Sequence, residues 1–227
     1  MDGEHGKVSP EREENDRGQR SDRRLRTCPV RTNLLLCFGD SGKNPFLDKE
    51  QERDMESRNL TTLLRGLVVN VEQMEVKFGD KGWHLFQVVR HPGGVGVLPL
   101  HDNGTVTLIR QLRPAVGSHL IEVPAGRLAP GENPPDCGYR ELSEETGLRA
   151  STIEPLGIFH PSPGIADETI HLFLATGLTQ ETADPERYED IGTIRLPLGE
   201  ARRMAMSGEI TDGKTIAALF RAGGRRV

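Results

Sequence analysis

Residues 126–148, GRLAPGENPPDCGYRELSEETGL, join a glycine-rich loop to a stretch with helical spacing that concentrates glutamates. Glu141, Glu144 and Glu145 fall at i, i+3 and i+4, which puts three carboxylates on one helical face. Two such charges about 6 Å apart repel by about 0.7 kcal/mol in water and about 3 kcal/mol at an effective dielectric near 20. That arrangement does nothing for helix stability, so a positive partner is expected against this face. A hard divalent cation such as Mg²⁺ suits an all-oxygen set, held by a few carboxylates together with substrate phosphates.

The local signals support a helix at this place. Pro134 and Pro135 suit a helix start, Asp136 complements the positive end, and Gly147 is placed to cap the C-terminus. Tyr139, Leu142 and Thr146 lie away from the acids and are expected to anchor the helix to a core. Arg140 stands four residues before Glu144 and is placed to orient that carboxylate through a charge-assisted bond. A generic Glu-Leu-x-Glu-Glu string is most often a solvated acidic face. Here the spacing to Gly126 and Glu132 sets the string apart.

Gly126, five residues, Glu132, seven residues, then Arg140-Glu141-Leu142-x-Glu144-Glu145-x-Gly147-Leu148 resembles the Nudix box at each of its nine defined positions. The resemblance implies an α+β fold, the Nudix α/β/α sandwich, with a mixed central sheet and an N-terminal antiparallel sheet. It also implies a loop–helix–loop that holds Mg²⁺, with Mn²⁺ as the alternative, against a diphosphate. By position, Glu141 and Glu145 resemble the principal metal ligands, and Glu144 a further ligand or water-holder. Arg140 resembles the residue that orients a ligand, and Ala125 the position whose carbonyl also binds metal.

Three flanking features narrow the resemblance to pyrophosphatases of ADP-ribose and nucleotide sugars. Arg110-Gln111-Leu112-Arg113-Pro114 ends an expected strand, and its arginines are placed to grip a substrate phosphate or to pair with an acid such as Glu122. Leu120 to Gly126 resembles the Glu-x-Pro-Ala-Gly entry of that subgroup, which makes Arg110, Arg113 and Glu122 the expected substrate contacts. Ser162 to Glu168 resembles its mobile loop, which supplies an acid to deprotonate water or reach a metal. Glu168 is the expected base and Asp167 its rival, since sequence alone does not say which carboxylate points inward. His160 and His171 are expected to pack or face solvent, because hard Mg²⁺ prefers oxygen.

The expected reaction is hydrolysis of a nucleoside diphosphate linked to X, with ADP-ribose first and GDP-mannose or another nucleotide sugar next. A non-catalytic nucleotide-sugar sensor is the rival of another class. An RNA-end hydrolase is disfavoured because no basic aromatic groove is apparent. Net charge is −5, which argues against general nucleic-acid binding. No apolar run reaches the length of a membrane span. Cys28, Cys37 and Cys137 form neither a metal spacing nor a disulfide framework, so a cytoplasmic setting is expected. A homodimer with exchanged N-terminal strands is implied by the resemblance.

Composition changes near residue 55. The first 54 residues hold 12 Asp or Glu and 11 Lys or Arg without apolar periodicity, so residues 1–56 are expected to be a disordered extension and 57–227 the catalytic domain. Met55, at the boundary, is an expected alternative native start. Strands are expected at Leu67–Val71, Met74–Phe78, Trp83–Val89, Gly94–Leu100, Thr105–Ile109, Ile153–Phe159 and Thr169–Ala175. Helices are expected near Leu198–Ser207 and Asp212–Ala222. Trp83 and Phe86 are candidates both for stacking on a base and for core packing.

Overall fold

The computed structural model describes residues 55–180 and 191–223, so the expectation for residues 1–54 lies outside the described residues. The central layer is a four-stranded mixed sheet of β4 (Gly94–Pro99), β7 (Ala125–Arg127), β8 (Leu148–Phe159) and β9 (Ile170–Gln180), in the order β7-β4-β9-β8. Strand β4 runs parallel to β9, and the other pairs are antiparallel. All six residues of β4 are buried, as a continuous apolar run covered on both faces requires. Val95 and Val97 face one side, toward Cys137, Leu142 and Phe173; Leu98 faces the other, toward Leu172, Ala218 and Leu219.

The first of those sides is covered by α1 (Pro134–Thr146). Prolines occupy its first turn, and Gly147 ends it in the left-handed region at φ 68°, donating to the Ser143 carbonyl at 2.8 Å. Cys137, Gly138 and Leu142 carry its packing, while Tyr139 is 39% exposed and does not anchor it as expected. Gly138 lies against Val97, Ile153 and Phe173 of the sheet, where a Cβ would make ordinary van der Waals contact.

The second side is covered by α3 (Gly213–Ala222), by α2 (Leu198–Ser207), and by the antiparallel sheet of β5 (Thr105–Arg113), β6 (Ser118–Glu122) and β10 (Ile191–Pro197). Asp212 caps α3 by accepting from the Thr215 N–H at 2.9 Å. Together these layers give the α+β sandwich expected from the sequence.

The N-terminal antiparallel sheet comprises β1 (Ser57–Arg65), β2 (Asn70–Lys77) and β3 (Trp83–Arg90). Its boundaries differ from expectation. Residues 67–78 were expected to form two strands, but 70–77 run as one: Met74 and Val76 bury one face while Glu72 and Gln73 keep their pairing with β3. Leu67–Val69 instead lie in the turn closed by the Gly66 N–H on the Val69 carbonyl at 2.9 Å. Strand β1 was not foreseen: all nine of its residues are exposed, so no face selects an alternating pattern. Trp83 packs under the Arg58 guanidinium, 4.1 Å from the ring centroid. Among the described residues no helix is long and apolar enough to cross a membrane.

Candidate active site

A cavity of about 900 Å³ opens between α1, β5 and α3. Its acidic wall comes from one short segment. Glu141 lines the cavity and is 9% exposed; on the same helix Glu145 is 2% exposed and Glu144 is partly exposed. Arg140 gathers the neighbouring acids: its Nε donates to Glu132 at 2.9 Å, and its Nη1 to Glu141 at 2.7 Å and Glu144 at 3.0 Å. Glu132 is held at a pKa of about 2 by Arg140 and by the Ala129 N–H. Glu145 Oε2 accepts from the Ala125 N–H at 2.8 Å, joining the helix to the strand that enters the loop. Gly126 is required here, because a Cβ would run into the Glu141 carboxylate. Cys137 lies behind this wall, and burial pushes its thiol up to about 12, so it supplies no thiolate at neutral pH.

The cationic wall is assembled from distant segments. Arg113 donates from Nε and Nη2 to Glu122 at 2.8 and 2.7 Å, and Lys214 from α3 bonds the same carboxylate. Glu122 is 1% exposed; burial alone would raise its pKa, but Arg113 and Lys214 more than offset that and hold it low. Lys214 also donates to Asp212 at 3.0 Å. Arg113 and Lys214 line the cavity. Arg110 does not: three positions from Arg113 on one strand it points to the opposite face and is exposed. The two arginines, expected to act together, are therefore separated.

A third side of the cavity is the 161–169 loop, where the two candidate acids have different surroundings. Asp167 accepts from the His91 N–H at 2.8 Å and from Arg90 at 3.2 Å. Glu168 lines the cavity, with its Oε1 3.6 Å from His91 Nδ1. That nitrogen accepts the Gly93 N–H at 3.1 Å, which places the ring proton of neutral His91 on Nε2. His160 turns toward the Glu168 carbonyl and Thr169 rather than the acids.

The NUDIX domain model matches residues 90–219. The chain belongs to the NUDIX family. It is 33% identical over 159 residues to an ADP-ribose pyrophosphatase of Bacillus subtilis, covering 69% of this chain and 86% of that protein. A methanol dehydrogenase activator of Bacillus methanolicus is 35% identical, with the same coverage. A GDP-mannose pyrophosphatase of Citrobacter koseri is 35% identical over 63% of this chain and 80% of that protein. The fold is shared with a solved ADP compounds hydrolase, at TM-score 0.66 and 20% identity over 75% of this chain and 92% of that one.

NUDIX hydrolases work with a divalent metal, and the residues at the acidic wall fit one. Every donor is oxygen: Glu132, Glu141 and Glu144 meet one guanidinium, and Glu145 accepts from the Ala125 N–H. Among the described residues no three acidic, histidine or cysteine side chains converge into a closed metal cage. Mg²⁺-type ions are commonly held by a few carboxylates with substrate phosphates and water completing the coordination. Sequence reasoning missed His91 and Lys214. Lys214 was legible as a position in the late helix, but its bond to Glu122 spans 92 residues and has no local signature.

Proposed function

We propose that this chain hydrolyses the diphosphate of ADP-ribose to AMP and ribose 5-phosphate with Mg²⁺, Mn²⁺ serving as an alternative ion. The observation that carries the reading is one cavity lined by Ala125, Glu141, Arg113 and Glu168, with the buried Glu145 bonded to the Ala125 N–H. Its volume lies within the range of small-molecule sites. Glu141, Glu144, Glu145 and the Ala125 carbonyl would hold the ion, which when bound neutralises diphosphate charge and acidifies water.

The chain's own groups then divide the remaining work. Arg140 spaces Glu141 and Glu144 by donating to both carboxylates. Arg113 is fixed by its Nε edge on Glu122, which turns the rest of the guanidinium toward a phosphate. Glu168 takes the proton of the attacking water; it is favoured over Asp167 because both Asp167 oxygens already accept bonds. Arg110, on the outer face, is left with a phosphate role only if substrate extends beyond this cavity.

A divalent-metal-dependent release assay tests the reading, across ADP-ribose, GDP-mannose, UDP-glucose, NADH and capped RNA. AMP and ribose 5-phosphate from ADP-ribose are the expected products. Faster release from GDP-mannose would move the substrate to the neighbouring subgroup. No turnover of any compound would favour a regulatory binding role, a reading kept open by the activator among the relatives.

We further propose a homodimer paired through the N-terminal sheet, which exposes Leu60, Leu63, Leu64 and Leu85. Light scattering should give twice the chain mass of 25.1 kDa. The net charge of −5 supports a small-molecule partner rather than nucleic acid, and the unpaired Cys137 thiol supports a reducing, cytoplasmic setting.

A further inference from the structure

We propose that Arg90 is a positioning residue for Glu168, holding the acid's loop against the N-terminal sheet through Asp167 and Glu72. The proposal rests on the reading of Glu168 as the group that takes the proton from water.

Strand β3 pairs with β2 on one edge, and its other edge would leave backbone groups without partners at its C-terminal end. The 161–169 loop meets that edge. The Val89 N–H donates to the Ile165 carbonyl at 2.8 Å, and the Asp167 N–H donates to the Val89 carbonyl at 3.1 Å. Val89 and Ala166 thereby form a parallel bridge. The Asp167 carboxylate extends the contact by accepting the His91 N–H on Oδ1 and Arg90 Nη1 on Oδ2. Arg90 in turn donates from Nε to Glu72 on β2 at 2.7 Å. One guanidinium thus bridges a sheet acid and a loop acid, a task suited to a planar fork with donors on separate edges.

Glu168 is the next residue, about 3.8 Å along the chain from the pinned Asp167 Cα. It turns into the cavity as its neighbour turns away. The Arg90 pairs are partly exposed, with side-chain exposures of 36%, 21% and 41% for Arg90, Glu72 and Asp167. Such pairs contribute little to global stability. A base displaced by about 1 Å, in contrast, costs up to about 100-fold in rate. The tether therefore acts on the position of one carboxylate far more than on the fold.

Steady-state kinetics on the full chain test this with Arg90→Met, Glu168→Gln and the double variant, using ADP-ribose and Mg²⁺. Arg90→Met should lower kcat about tenfold with KM within about twofold. In the Glu168→Gln background the same change should cost less than about twofold, since the group it positions is gone. Equal losses in both backgrounds, or no loss in the first, would overturn the positioning role. Undiminished kcat in Glu168→Gln would instead sink the reading of the base. Hydrogen exchange keeps the tether testable in that event: Arg90→Met should speed exchange of the 163–168 amides about tenfold. Unchanged exchange would overturn the tether whatever the kinetics.

Discussion

The acidic and cationic walls of the cavity face one substrate space but are built in opposite ways. The acidic wall joins residues no more than 20 positions apart, with Arg140 reaching one, four and eight positions along the chain. The cationic wall closes bonds from Lys214 to Glu122 across 92 positions, and the loop of Asp167 meets Arg90 across 77. A helix and a short loop suffice to organise the first. The second exists only once three layers have packed, so it shares its free energy with the fold. Substitutions in the first wall should therefore strike chemistry and spare stability at neutral pH, whereas removing Lys214 from the buried Glu122 should cost stability.

The largest effect is expected from Glu145→Gln, with kcat reduced by about 10³-fold or more while the urea midpoint stays near wild type. Near-normal turnover in that variant would break the assignment of the acidic wall. Gly126→Ala should come next, costing about 10- to 100-fold in apparent metal affinity as its methyl displaces Glu141. A metal titration of activity measures it, and an unshifted curve would show that Glu141 can move aside without loss.

Lys214→Met should lower stability by about 1–3 kcal/mol in urea unfolding, because Glu122 stays buried with only Arg113 to answer it. An unchanged midpoint would remove the contrast between the walls. The smallest effect is a pH dependence. Glu132 falls from an ordinary 4.5 to about 2 in the folded chain, so the stability it lends is complete above about pH 4.5 and fades toward pH 2. Glu132→Gln should flatten the thermal midpoint within that window and leave it unaltered at neutral pH. A variant curve parallel to wild type would show that Arg140 gains nothing from this acid.

The same contrast explains what could be read in advance. Helix α1, its proline start, its Gly147 stop and its glutamate face were legible because each is a relation between residues a few positions apart. Strand β4 was legible as a buried apolar run, and α2 and α3 by their spacing. Strand β1 carried no such signal, since a strand exposed at every residue has no inward face to pattern. Arg110 and Arg113 looked equivalent in the sequence until the two-residue period of β5 sent them to opposite sides.

By itself the sequence determined the acidic helix, its family and that family's use of a divalent metal, because one face of one helix is a local geometric fact. Tertiary structure alone decided that Glu122 sits buried between Arg113 and Lys214, and that Asp167 is spent on Arg90 while Glu168 turns inward. Those choices depend on where β3, β5 and α3 meet. No spacing along the chain records a contact that only packing creates.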